Sequence, residues 1–318
     1  MKSTSIRRAI VPGFAVLALT LSACGGQDDD NNSSDGVSGS VAIDGSSTVY
    51  PLSSAAAELL NQDNSDIKVT VGEAGTGGGF EVFCAGKTDI SDASRPIEDD
   101  EASTCADAGV EYTQLQVATD ALTVVVNKDL AIDCLTTDQL KQLWEPAAEG
   151  KVTNWNQLDP SFPDEAITLF GPGTDSGTFD YFTDVINGEE GASRTDYESS
   201  EDDNVIVQGV AGTPGAAGYF GYTYFEENQD TLKAVQVDSG SGCVAPSAET
   251  AQDGTYAPLA RPLFIYVSNK SYADKPQVAA FVDFYIDQLA TVTEAAKYIP
   301  LNDDQTAETA SALESLKG

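Results

Sequence analysis

Three stretches set hydroxyl side chains among glycines: Asp44-Gly45-Ser46-Ser47-Thr48-Val49-Tyr50-Pro51, Gly75-Thr76-Gly77-Gly78-Gly79-Phe80 and Gly171-Pro172-Gly173-Thr174-Asp175-Ser176-Gly177-Thr178-Phe179. Each opens a segment with helical spacing, so each places hydroxyls and unhindered N–H groups at a helix N-terminus. Such an end carries about half a positive charge and several orphan donors. Small residues let an oxyanion approach the backbone closely. One cluster alone is an N-cap with a tight turn; three together point to a shared anion site. Beyond the N-terminal Arg7-Arg8 pair the only arginines are Arg95, Arg194 and Arg261. Arg95 follows the strand-like Thr88-Asp89-Ile90-Ser91, and open α/β sheets bind ligands at the C-terminal ends of strands. Its guanidinium offers a two-pronged grip on an oxyanion that lysine lacks. Arg95 is therefore the expected ligand, Arg194 a second-tier one and Arg261 a structural residue. Asp92 and Asp175 lie inside these motifs, either as helix caps or as acceptors of a proton on the bound anion.

The elements that must carry these loops alternate. Strands are expected at 40–44, 67–71, 88–91, 121–127, 166–170, 217–222, 234–237 and 262–268. Helices are expected at 51–61, 77–85, 136–144, 178–187, 277–289 and 306–316. This β-α order implies a mostly parallel sheet covered by helices. The continuous apolar runs 121–127 and 262–268 are buried strands. They bracket the middle of the chain, which suggests two lobes joined by two crossing strands, with a ligand cleft and a hinge between them. The expected division is 41–122 plus 267–318 for one lobe and 123–266 for the other.

The chain has 318 residues, 16 Lys plus Arg, 51 Asp plus Glu and no histidine. A Ser-His-Asp or Cys-His nucleophile and a His-ligated metal are thereby excluded. So acidic a chain lacks the basic face that nucleic acid demands. Residues 1–23 combine Lys2, Arg7 and Arg8 with a short apolar run, as a signal peptide does. Leu21-Ser22-Ala23-Cys24-Gly25 resembles a bacterial lipobox with Cys24 as the lipidated residue. Residues 24–40 are polar and Gly/Asp/Asn/Ser-rich, an expected flexible tether. Lipid, tether and body place the chain on the extracytoplasmic face of a bacterial membrane. Four cysteines remain, with three connectivities open. Cys84–Cys105 and Cys134–Cys243 are favoured because the first pair shares one segment. No CxxC spacing supports a metal, and no cofactor is expected.

At these residues the chain resembles the substrate-binding lipoproteins of phosphate ABC transporters, the PstS type within the type II periplasmic-binding-protein fold. The resemblance rests on GSSTVYP (45–51), GTGGGF (75–80), DISDASRPI (89–97), LWEPAAEGKVTNWNQL (143–158), GPGTDSGTFDYF (171–182), SEDDNVIVQGV (200–210), GYFGY (218–222) and YIPL (298–301). It implies phosphate ligands at Ser47, Thr48 and Val49, at Thr76 with Gly77, at Ser94 and Arg95, and at Ser176, Gly177 and Thr178. A branch of that family carries an Asp and an Arg where this chain has Ser94 and Pro172; Arg95 is the natural substitute for the missing guanidinium. The resemblance further implies a monomer that captures inorganic phosphate, performs no chemistry on it and delivers it to a membrane permease.

Two rivals stay on the table. A binding protein for molybdate or sulfate would use the same loops. An aspartic-type hydrolase would use Asp175-Ser176-Gly177-Thr178 and Asp238-Ser239-Gly240-Ser241, but the intervening chain is α/β. Gly86-Lys87-Thr88 is not a P-loop, since Glu81 stands where the first glycine belongs.

Overall fold

The computed structural model describes residues 36–317 apart from position 175. The expectations for the signal peptide, Cys24, most of the tether and Asp175 fall outside the described residues. The first half of the chain runs β1 (Gly39–Gly45), α1 (Tyr50–Asp63), β2 (Ile67–Val71), α2 (Gly75–Cys84), β3 (Ile90–Ala93), α3 (Asp99–Asp107) and β4 (Tyr112–Asn127). Then follow β5 (Cys134–Thr136), α4 (Thr137–Trp144), β6 (Thr168–Gly171), α5 (Gly177–Phe182), β7 (Glu198–Ser199), α6 (Asp203–Gly212), β8 (Ala216–Gly221) and α7 (Tyr222–Glu227). The remainder is β9 (Leu232–Ala234), β10 (Gln236–Asp238), β11 (Cys243–Val244), α8 (Ala248–Gln252), β12 (Ala260–Ser268), α9 (Asn269–Asp274), α10 (Pro276–Asp287), α11 (Leu289–Ala296) and α12 (Asp303–Lys317).

Local chemistry explains the main boundaries. Pro51 sits in the first turn of α1, where its missing N–H costs nothing. Thr136 caps α4 in a reciprocal box: its Oγ1 accepts from Gln139 N at 3.1 Å, and Gln139 Oε1 accepts from Thr136 N at 2.9 Å. Helix α3 escapes a reading of apolar periodicity because Cys105 is its one buried side chain. The π-helical turn Thr183–Asn187 extends α5. The expected tether overlaps β1 at Gly39 and Ser40.

Nine strands form one sheet in the order β2-β1-β3-β12-β4-β8-β6-β7, with β9 also on β4. Strands β1, β2 and β3 are mutually parallel, as are β6, β7 and β8. Strand β4 is longer than the apolar run 121–127 predicts. Its residues 112–121 pair antiparallel with β12, while Leu122–Val126 pair antiparallel with β8. It thus passes from one half-sheet into the other. One core gathers Val41, Leu52, Ile265, Phe281 and Tyr285; a second gathers Val124, Trp144, Trp155, Phe182 and Tyr219. This is a mixed α/β, two-lobed architecture. Disulfides join Cys84 to Cys105 and Cys134 to Cys243, the favoured pairing. Among the described residues, no helix is long and apolar enough to cross a membrane.

Candidate functional site

The first loop turns sharply out of β1. Gly45 is required there: at φ +144°, a Cβ would stand 2.1 Å from the Asp92 carbonyl oxygen. Ser46 N–H donates to that same carbonyl at 2.9 Å, and Val49 and Tyr50 N–H groups turn back onto Ser46 O. Among the described residues, Ser47 and Thr48 N–H groups have no backbone partner. The second loop is tied to the first through Asp44, whose Oδ1 accepts from Gly45 N at 2.9 Å and Ala74 N at 3.0 Å. Thr76 Oγ1, in the first turn of α2, accepts from Ser94 N at 3.2 Å and lies 3.2 Å from Ser94 Oγ. The loop before α5 comes from the other half. A Cβ on Gly177 would lie 2.9 Å from Thr48 Oγ1 and 3.1 Å from Ser47 Oγ, so the two loops nearly touch.

One side chain connects these pieces. Arg261 lies at the start of β12, in register with Asp120 on β4. Its Nε donates to Asp120 Oδ2 at 3.2 Å, Nη1 to Ser94 Oγ at 3.2 Å and Nη2 to Thr48 Oγ1 at 2.7 Å. The guanidinium carbon sits 3.6 Å from the centre of the Tyr181 ring, a cation–π contact. Tyr181 belongs to α5 and is fixed by donating its hydroxyl to Pro258 O at 2.5 Å. Burial pushes the Asp120 carboxyl up, and Arg261 opposes that shift. The guanidinium therefore reaches the first loop and Ser94 after β3 in the first half, and helix α5 in the second.

A cavity of about 840 Å³ opens here, lined by Ser47, Thr48, Thr76, Ser94, Arg95, Gly177 and Arg261 among others. Glu73, Asp180, Asp184 and Glu190 line it as well. Burial pushes the Asp180 carboxyl up, Glu190 adds to the shift and Arg261 opposes it.

The expected site residues therefore separate. Ser47, Thr48, Thr76, Gly77, Ser94, Arg95 and Gly177 line the cavity. Val49 does not: it is fully buried and its N–H is committed to Ser46 O at 3.1 Å. Ser176 caps α5, its Oγ accepting from Thr178 N at 3.2 Å, and neither Ser176 nor Thr178 is among the lining residues. Arg95 faces the cavity but its fork is occupied. Nη1 and Nη2 donate to the two Glu101 oxygens at 2.8 Å each, and Glu98 lies 3.4 Å from Nε. Three expectations need correction. Arg194 lies off the cavity: 4% exposed, it donates to Asp196 and, through Nη1, to Leu143 O and Val152 O at 3.1 Å. Asp92 is fully buried under the first loop, with Oδ1 accepting from Ser53 Oγ at 2.9 Å. Burial pushes its pKa up to about 8. Arg261 is the reverse case: assigned to structure from sequence, it holds the centre of the cleft. Its signal was present, since Asp120 and Arg261 each stand directly before one of the two bracketing apolar runs.

Comparison with known proteins agrees with this architecture. The sequence matches the PBP superfamily domain over residues 30–288. It is 47% identical over 300 residues to Protein SphX of Synechocystis sp., covering 94% of this chain and 87% of that one. It is 39% identical over 303 residues to Phosphate-binding protein PstS of Staphylococcus saprophyticus, covering 95% and 92%. The crystal structure of a possible phosphate binding protein from Planctomyces limnophilus superposes with a TM-score of 0.84 at 42% identity, covering 89% of this chain and all of that one. With a match across most of its length, and relatives this similar end to end, the chain belongs to the PBP superfamily.

Proposed function

We propose that this chain is the phosphate-capturing component of an ABC importer, holding inorganic phosphate between its two lobes and passing it on unchanged. The observation that carries this reading is Arg261. It places one guanidinium, two hydroxyls and the free N–H groups of the first loop around a single point where both halves meet. Ser94 and Thr48 can rotate their hydroxyls from Arg261 onto an oxyanion without moving the backbone. About ten such hydrogen bonds correspond to a dissociation constant near 1 μM, about −8 kcal/mol. The relatives named for phosphate binding support the choice of anion.

Monohydrogen phosphate also carries a proton, which sulfate lacks at neutral pH. With Asp92 sealed in the core, Asp180, which lines the cavity one position before the Tyr181 that stacks on Arg261, serves as the acceptor. An ionised Asp180 then repels sulfate and leaves it one hydrogen bond short. The lobes divide at the crossing strands, 41–122 with 267–318 against 123–266. Cys24 anchors the mature chain outside the membrane as a monomer, where it meets the permease.

Calorimetry on phosphate-stripped protein tests this. Phosphate should bind one to one, sulfate at least about 100-fold more weakly, and Asp180→Asn should narrow that gap. Arg261→Lys, which keeps the charge beside Asp120 but loses the fork, should weaken phosphate about 10- to 100-fold. Preference for molybdate or sulfate over phosphate would replace the ligand; no oxyanion binding at all would refute the reading.

A further inference from the structure

The Tyr298-Ile299-Pro300-Leu301 segment has no place in the cleft lining, yet it touches the site from behind. Tyr298 packs its ring on the first-half core and donates its hydroxyl to the Thr48 carbonyl at 2.8 Å. Burial, with Asp120 acting in the same direction, keeps that hydroxyl protonated. Thr48 is therefore held at two points, its carbonyl by Tyr298 and its Oγ1 by Arg261. The neighbours of Tyr298 are fixed as well. Ile299 exchanges backbone hydrogen bonds with Thr119 on β4, at 2.9 and 3.0 Å. Lys297 is the one non-glycine residue at positive φ among the described residues, φ 60° and ψ 40°; it ends α11 in the left-handed turn common at helix C-termini, with Tyr298 N–H donating back to Thr293 O at 3.1 Å. Lys297 is also tied to α7, in the other half. Thr223 Oγ1 donates to Lys297 O at 2.5 Å, Lys297 Nζ pairs with Glu227, and the ammonium lies 5.4 Å from the Tyr224 ring centre.

We propose that Tyr298 is a positioning residue for the anion site, and that residues 297–299 form a strut from α7 to the first loop that sets Thr48 against Arg261. This rests on the cleft being the phosphate site. A first loop fixed before binding does not have to be ordered by the ligand, and the affinity otherwise spent on ordering is kept. Without the Tyr298 hydroxyl, the Thr48 carbonyl loses its donor and the peptide beside it is free to turn.

The test is a double-mutant cycle read by phosphate titration of the intact chain, with melting temperatures alongside. Tyr298→Phe should weaken phosphate binding about tenfold with a small loss of melting temperature. Thr48→Val removes the positioned hydroxyl and should weaken it by about thirtyfold. The double variant should fall well short of the roughly 300-fold product, because Tyr298 acts through Thr48. A full 300-fold loss, or Tyr298→Phe binding as the parent does, would overturn the proposal. Should Tyr298→Phe not fold, Thr223→Ala at the far end of the strut gives the answer. Phosphate binding weakened about threefold supports the strut, and unchanged binding overturns it. If the parent protein binds no phosphate, the functional reading fails and the strut with it; if the parent binds and the effects are additive, only the strut fails.

Discussion

Two arginine–aspartate pairs, each with one buried member, are used in opposite ways. Arg194 spends Nε and Nη2 on Asp196 and Nη1 on the Leu143 and Val152 carbonyls. Backbone carbonyls are fixed acceptors, so all three guanidinium nitrogens are committed and the side chain fastens three segments together. Arg261 spends only Nε on Asp120 and aims Nη1 and Nη2 at the Ser94 and Thr48 hydroxyls. Hydroxyls both donate and accept, so an incoming oxyanion can take over those bonds. The ion pair is similar; the partners of the remaining donors decide whether the arginine holds structure or waits for a ligand.

The contrast breaks cleanly by substitution. Arg261→Ala should reduce phosphate affinity by at least about 100-fold, equivalent to roughly 3 kcal/mol, as read by calorimetry. Arg194→Ala should leave affinity within about threefold and instead cost roughly 2–3 kcal/mol of stability in a urea titration, since two carbonyls and Asp196 lose their donor. Asp196 is more than one-third exposed, which keeps that cost at the lower end for a broken pair.

Asp92 sharpens the comparison because it is a buried acid with no arginine. Its pKa in the folded protein, about 8, lies above the ordinary carboxyl value of 3.8. The folded state thus binds the proton more tightly than the unfolded state. Its contribution to stability is present in full at low pH, declines as pH rises from about 4 towards 8, and is flat above. Asp92→Asn removes that decline. The stability of Asp92→Asn relative to the parent should therefore grow between pH 5 and pH 8, by roughly 2–4 kcal/mol, and then level off. A difference that stays constant across this range would show that Asp92 does not titrate there.

The smallest effect is expected at Arg95. Its fork is already filled by Glu101, so Arg95→Ala should weaken phosphate by less than about threefold. A loss as large as that of Arg261→Ala would exchange the roles of the two arginines.

The loops were legible in sequence because the demand on them is local. A strand end that must turn into a helix and expose N–H groups needs glycine, serine and threonine within a few residues, as at Gly45 to Thr48. The two apolar runs that join the halves were legible for a similar reason, through uninterrupted burial. The Arg261–Asp120 pair was not, because its partners are 141 positions apart and meet only through the register of β4 on β12. The pairing of Arg95 with Glu101 was not legible either, because Glu101 belongs to the capping box of α3, a helix without an apolar stripe to announce it. The first nine residues of β4 hid behind polar positions such as Gln114 and Gln116, which lie beside buried Leu115 and Val117. Tyr298 was visible only as part of a motif, since its partner is a backbone carbonyl 250 positions away.

The most direct measurement is a crystal structure of the protein with phosphate bound. Phosphate oxygens should lie within hydrogen-bonding distance of the Arg261 guanidinium and of the Thr48 and Ser94 hydroxyls, with Asp120 still holding Nε and Arg95 still paired to Glu101. Phosphate seated on a freed Arg95, with Arg261 still donating to Thr48 and Ser94, would contradict the account.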